Sequence, residues 1–145
     1  MFGLTGRVNF IWVCKTPPTP KPSTMKNKLN VLLADDDKND HERIKKALLA
    51  VPGVKVSSWY NGMQLVDHLT SASPLSEFPD LVITDLYMPF AGGLQVLKKL
   101  RVNAALKQIP IYVFSRNFDS KIQSAVIENG AADFFRKPDD ELELQ

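Results

Sequence analysis

Three consecutive acids, Asp35, Asp36 and Asp37, and one more, Asp85, each follow a short apolar run: Asn-Val-Leu-Leu-Ala at 30–34 and Leu-Val-Ile-Thr at 81–84. A chain that passes from apolar residues into carboxylates in one step places negative charge where a buried strand meets solvent. Taken singly, Asp85 with Met88-Pro89 and Gly92-Gly93 behind it would suit an ordinary turn. Taken together, and with no Cys or His among them, these acids form an all-oxygen donor set, which selects Mg²⁺ or Mn²⁺ over zinc or copper. Two other candidate strands also end at polar residues, 109–114 at Ser115 and 131–136 at Lys137. A divalent cation, an ammonium and a hydroxyl are together what a phosphoryl group in transfer requires. Alone, Ser115 would read as a core hydroxyl and Lys137 as a solvated lysine.

The elements that must position these residues follow from periodicity. After the first apolar run, Ile44, Ala47, Leu48 and Val51 recur at helical spacing until Pro52-Gly53 stops them. Residues 54–59 alternate, as an edge strand does. Asn61-Gly62 turns into a helix carrying Leu65, Val66 and Leu69, followed by a loop over 71–79. Beyond Gly93 a third helix carries Leu94, Leu97 and Leu100, with Lys98, Lys99 and Arg101 near its C-terminus, where cations complement the dipole. A fourth carries Ile122, Ala125 and Val126 and closes on Asn129-Gly130. Five strands alternating with helices, without internal repeats, predict an α/β fold: a doubly wound, five-stranded parallel sheet with helices on both faces. Such sheets bind ligands outside the carboxyl ends of their strands, where Asp35, Asp36, Asp37, Asp85, Ser115 and Lys137 would all lie.

Composition sets the remaining bounds. With 145 residues, 44% apolar and 23% charged, the chain is one domain's worth with a real core. The net charge of +2 is uneven: residues 1–24 hold Arg7, Lys15 and Lys21 and no acid, leaving 15 basic and 16 acidic residues elsewhere. That near-neutral remainder gives no electrostatic reason to bind nucleic acid. The apolar stretch 10–14 is far shorter than the ~20 residues of a membrane span. We read 1–24 as a flexible, Pro-rich extension that need not be native, with Met25 as an alternative start, and 25–145 as the folded domain. Cys14 is the sole cysteine, so no intramolecular disulfide forms, and a cytoplasmic location is expected.

From about Lys28 to Pro138 the sequence resembles the response-regulator receiver family. The likeness rests on five placed motifs: the acids after strand one, Asp85 with Met88-Pro89, Gly93, Ser115, and Lys137-Pro138. The resemblance implies a flavodoxin-like strand order 2-1-3-4-5. It also implies an aspartyl-phosphate switch in two-component signalling, with Asp85 accepting a phosphoryl group from a sensor histidine kinase or histidine phosphotransfer protein. Carried over by position, Asp36 and Asp85 would ligate Mg²⁺ (or Mn²⁺) with the Tyr87 backbone carbonyl, and Asp35 would help through water. Because three acids adjoin, Asp37 stays a lesser candidate. Lys137 would pair with phosphoryl oxygens, Ser115 would bind one and move toward it, and Phe134 would be the switch aromatic that turns inward. The implied protein is a phosphoacceptor rather than an enzyme, with at most slow autodephosphorylation. It would be a monomer or weak dimer of single-domain type, passing its signal to an unknown downstream protein and touching neither nucleic acid nor membrane.

Three departures stand out. Gly92 replaces a residue that is polar in many relatives and is expected only to loosen the loop. Tyr87 and Asn117 resemble the positions that tune phosphate lifetime. Residues 139–145 leave room for about two helical turns, with Leu142 and Leu144 as apolar contacts, so the C-terminal helix is expected to be short or truncated. Two other readings compete: a phosphorylation-independent pseudo-receiver, and a haloacid-dehalogenase-type phosphohydrolase using Asp35 and Asp37 as its DxD pair. His41 and His68 are taken as surface histidines.

Overall fold

The computed structural model describes residues 28–71, 78–117 and 119–137. The expected extension at 1–24 and the expected short C-terminal helix lie outside these residues. The elements are β1 (Leu29–Ala34), α1 (Lys38–Leu49), β2 (Val54–Trp59), α2 (Gly62–Ser71), β3 (Leu81–Asp85), α3 (Gly93–Arg101), a 3₁₀ turn (Ala104–Leu106), β4 (Ile111–Ser115), α4 (Ser120–Glu128) and β5 (Asp133–Arg136). All strand pairs are parallel and the order is β2-β1-β3-β4-β5. This is the doubly wound sheet that the sequence predicts.

The period-two alternation of strands sorts the core into two layers. Leu32 and Ala34 of β1, Val82 of β3 and Ile111 and Val113 of β4 face α2, α3 and α4, which contribute Leu65, Leu69, Val96, Leu97, Leu100 and Val126. Val31 and Leu33, Ile83, and Tyr112 and Phe114 face the other way, onto Ile44 and Leu48 of α1. Each fully buried Val, Leu or Ile of the central strands contributes about 2 kcal/mol. The edge strand β2 alternates between half-buried and exposed residues, as expected. The strand starts move where backbone donors are already committed. β4 begins at Ile111 because Pro110 has no N–H, although its carbonyl accepts from Val82 (2.9 Å). β5 begins at Asp133 because the Ala131 N–H closes α4 onto Val126 (3.2 Å).

Asp37, Asn61 and Asp119 each accept backbone N–H bonds at the start of α1, α2 and α4. The third helix, α3, is preceded by Gly92 as its N-cap, which corrects the expectation that this glycine merely loosens the loop. A Cβ there would lie 2.5 Å from the Leu86 carbonyl oxygen, so the tight return of the chain requires its absence. Gly62 is equally constrained, since its Cβ would meet the Ala91 carbonyl at 2.0 Å. Through these contacts α2 and the head of α3 clamp the segment after Asp85.

His41 is the second correction: it is buried, not on the surface. It lies three and seven residues before Ile44 and Leu48, on the apolar stripe of α1. Its ring stacks on Tyr60 (centroids 4.4 Å apart), and Nδ1 lies 3.1 Å from the Asp35 carbonyl, a bond that requires the Nδ1–H tautomer. His68 is exposed, as expected.

Candidate functional site

The carboxyl ends of β1, β3, β4 and β5 bring the site together. Register pairs Asp85 with Phe114 and Ser115 with Arg136, and the Lys137 N–H donates to the Ser115 carbonyl (2.8 Å), fastening the end of β5 to that of β4. Asp85 is held on both sides: the Thr84 hydroxyl donates to its carbonyl (3.1 Å), and the next N–H, of Leu86, donates to the Phe114 carbonyl (3.0 Å). The local reason is plain. Val82 and Ile83 keep β3 buried up to the acid, and the Gly92 return bends the chain away just after it.

Asp35, Asp36 and Asp85 offer carboxylate oxygens that all lie within 4.8 Å of one another, with Asp35 and Asp85 buried and Asp36 exposed. Asp37 does not join them. Its side chain accepts from the N–H groups of Asn39 (2.9 Å) and Asp40 (3.1 Å), which hold its carboxyl below the ordinary range, the Asp40 bond foremost. That arrangement also separates the DxD pair of the hydrolase reading, because Asp37 is a helix cap. Both oxygens of Asp35 are engaged, Oδ1 by the Asp37 N–H (3.0 Å) and Oδ2 by Lys137 Nζ (2.7 Å).

Lys137 is only 4% exposed and is the buried cation of this cluster. Its ammonium lies 2.7 Å from Asp35 Oδ2, 3.1 Å from Asp40 Oδ2 and 3.3 Å from Asp85 Oδ2. Burial alone would push the lysine toward neutrality, but the carboxylates, Asp35 first, outweigh it and raise its pKa. Burial raises Asp35, and raises Asp85 to about 6; Lys137 opposes both shifts, and the two acids aggravate the one at Asp85 by mutual repulsion. Asp85 is thus a carboxylate whose charge is costly without a further cation or a covalent partner.

The other expected residues fall nearby. Ser115 is buried at the end of β4, its hydroxyl accepting from the Asn117 N–H (3.2 Å). Tyr87 is exposed and, with Asp36, Met88, Pro89 and Ile122, lines an open cavity of about 690 Å³ between the segment after Asp85 and α4. Phe134 is already turned inward, packed in the larger core layer. Two residues were missed. Asp40, 4% exposed, bonds Lys137 and pairs with the Arg116 guanidinium just after β4. The signal was present in the sequence: Asp40 lies four and eight residues before Ile44 and Leu48, so an acid falls on the apolar stripe of α1.

The response regulator receiver domain matches residues 31–145. The chain belongs to that family. Among its relatives, the two-component response regulator ARR17 of Arabidopsis thaliana is 29% identical over 124 residues, covering 80% of each chain. ARR15 of the same plant is 32% identical over 123 residues, 80% of this receiver and 59% of that protein. The probable C4-dicarboxylate response regulator DctR of Bacillus subtilis is 33% identical over 112 residues, 74% of this receiver and 45% of that protein. In fold, the receiver is similar to the phosphorylated cyanobacterial phytochrome response regulator RcpA (TM-score 0.73, 23% identity, 81% and 86% of the two chains). It is likewise similar to the Mn²⁺-bound form of response regulator Rcp1 (TM-score 0.72, 23% identity, 80% and 86%). The receiver is thus a domain of two-component signalling, and among its described residues no helix is long and apolar enough to cross a membrane.

Proposed function

We propose that this receiver is an aspartyl-phosphate switch in which Asp85 takes a phosphoryl group from a sensor histidine kinase or histidine phosphotransfer protein. The observation that carries the reading is the setting of Asp85. It is a nearly buried carboxylate at the end of the central strand, beside Lys137 Nζ (3.3 Å) and within 4.8 Å of the oxygens of Asp35 and Asp36. The donor set fits a hard divalent ion, because it is all oxygen and carries more negative charge than Lys137 neutralises. Asp36 and Asp85, with the Tyr87 carbonyl, would hold Mg²⁺ or Mn²⁺, and Asp35, with both oxygens engaged, would act through water. When bound, the ion offsets the charge that builds on the phosphoryl oxygens.

In the transfer, an Asp85 oxygen forms a bond to phosphorus as the bond from phosphorus to the donor's imidazole nitrogen breaks. The electron pair stays with the nitrogen, and because the donor ring carries a proton on its other nitrogen it leaves as neutral imidazole. Lys137 donates to the phosphoryl oxygens and Ser115 supplies a neutral donor. Water attack on the acyl phosphate then returns Asp85 and inorganic phosphate slowly. The open cavity beside Asp36 and Tyr87 gives the donor an approach. As a switch, the phosphoryl charge draws in Ser115, and α4 shifts the face it offers to a downstream protein. We take 25–145 as the receiver unit, which acts as a monomer or weak dimer in the cytoplasm.

The test is incubation with acetyl phosphate and Mg²⁺, with and without EDTA, read by intact mass. A metal-dependent gain of one phosphate that Asp85→Asn abolishes is the expected result. No gain together with no Mg²⁺ binding would replace this reading with the pseudo-receiver. Uptake persisting in Asp85→Asn would move the nucleophile elsewhere.

A further inference from the structure

Lys137 has three N–H donors and three carboxylates around it, at unequal distances: Asp35 (2.7 Å), Asp40 (3.1 Å) and Asp85 (3.3 Å). The two shorter contacts fix two of the N–H directions and so aim the third at Asp85. Asp35 comes from β1, next to the strand that carries the nucleophile, whereas Asp40 comes from the first turn of α1. Asp40 divides its oxygens among three cations. Oδ2 accepts from Lys137, and Oδ1 pairs with Arg116, with Arg43 at 3.7 Å. Arg116 directly follows Ser115, and its side chain is 49% exposed at the mouth of the site. A chain of contacts therefore runs from Arg116 through Asp40 and Lys137 to Asp85.

We propose that Asp40 is a positioning residue for phosphoryl transfer: with Arg116 holding its other oxygen, it orients the Lys137 ammonium so that one N–H points at the group arriving on Asp85. The inference rests on Asp85 being the phosphoacceptor. Asp40 lies outside the group of acids whose oxygens converge, so its role is distinct from holding a metal. Phosphorylation requires no rupture of this arrangement, because the contact to Asp85 is the one that passes to the phosphoryl oxygen, while Asp35 and Asp40 keep theirs.

The experiment measures the rate of phosphate uptake from acetyl phosphate over a range of donor concentrations in Mg²⁺, for wild type, Asp40→Asn and Arg116→Gln. Mg²⁺ affinity is measured by titration calorimetry, and the Lys137 ammonium is followed by ¹H–¹⁵N spectroscopy. Asparagine keeps the shape but has one neutral acceptor for the cations of Lys137, Arg116 and Arg43. Loss of a charge-assisted bond then lowers the saturating rate about tenfold. The half-saturating donor concentration and Mg²⁺ affinity stay within about twofold, and the slowly exchanging ammonium signal disappears. Arg116→Gln, on a half-exposed side chain, lowers the rate about threefold in the same direction. A wild-type saturating rate together with a persisting ammonium signal in Asp40→Asn would overturn the proposal. If the wild type itself takes up no phosphate and binds no Mg²⁺, the phosphoacceptor reading falls. The ammonium signal then decides alone, its loss in Asp40→Asn supporting orientation by Asp40 and its persistence refuting it. If Asp40→Asn fails to fold, Arg116→Gln is decisive, and an unchanged rate and signal there refute the proposal.

Discussion

Opposite edges of the sheet each hold a cation, buried at one and half-buried at the other, and the two are used differently. At the carboxyl edge Lys137 is surrounded by the carboxylates of Asp35, Asp40 and Asp85. At the amino edge Arg101, the last residue of α3, donates to the backbone carbonyls of Gly130 (2.9 and 3.1 Å), Leu106 (3.1 Å) and Lys107 (3.0 Å). Arg101 thereby brackets the chain ahead of β4 and β5. Its partners are neutral, do not repel one another and have no second state. Those of Lys137 are charged, repel one another, and include one carboxylate, Asp85, whose pKa is raised to about 6 mainly by burial. A static bracket is made from carbonyls, and a rearrangeable site from charges that do not balance.

The largest effect is expected from Lys137→Met. It strands the buried Asp35 and Asp85 without a cation and leaves Asp40 only its arginines, at a cost of about 3–5 kcal/mol by denaturant unfolding in EDTA. Mg²⁺ should recover part of that loss. Arg101→Met should gain no more from Mg²⁺ than wild type does, and equal excess rescue of the two variants would erase the distinction between the edges.

Asp85→Asn tests the imbalance directly. The folded pKa of about 6 lies above the usual 3.8, so the folded state binds this proton more tightly than the unfolded chain. The group's contribution is therefore favourable below about pH 4, falls as pH rises toward about 6, and is flat above that. In EDTA the asparagine variant, neutral throughout, should exceed wild type by on the order of 2 kcal/mol at pH 7.5, and by less at pH 5. If the variant is instead weaker at pH 7.5, attraction to Lys137 outweighs burial and the edge is balanced after all.

Arg101→Met is the static counterpart. It leaves carbonyls at Gly130, Leu106 and Lys107 to water or to nothing, which should cost about 2 kcal/mol with no dependence on Mg²⁺ and none on pH between 5 and 7.5. Phosphate uptake per folded molecule should match wild type. A change there would mean that the bracket reaches the site.

The two edges also differed in how far the sequence disclosed them. Strand ends read as apolar runs stopping at Asp35, Asp85, Ser115 and Lys137, so the parallel sheet and the gathering of these residues at one edge were visible before any coordinates. Arg101 was read only as a dipole complement, because its partners are backbone carbonyls that carry no residue signature. Asp40 and His41 were passed over as the polar start of a helix, although both lie on the stripe that Ile44 and Leu48 define. Gly92 was misjudged because the crowding that demands it comes from the Leu86 carbonyl, six residues back in a turn whose path periodicity does not describe.

The smallest effect concerns two adjacent acids that sequence could not tell apart. Asp36 has a carboxylate oxygen among those that converge with Asp35 and Asp85, whereas Asp37 spends its side chain on the N–H groups of Asn39 and Asp40. Those bonds hold the Asp37 carboxyl below its ordinary pKa, so its contribution is present above about pH 4 and is lost as pH falls through the lowered folded value. Asp37→Ala should therefore cost about 1 kcal/mol, the usual worth of an N-cap, and leave Mg²⁺ affinity within about twofold. Asp36→Ala should do the reverse, weakening Mg²⁺ at least about tenfold with little change in stability, since losing an exposed ligand leaves no backbone group unsatisfied. Titration calorimetry beside denaturant unfolding of both variants reads the two quantities separately. Should Asp37→Ala instead abolish Mg²⁺ binding, the cap would have to open to admit the ion. The carboxyl edge would then rearrange as far down as α1, which its three acids in a row were otherwise arranged to keep still.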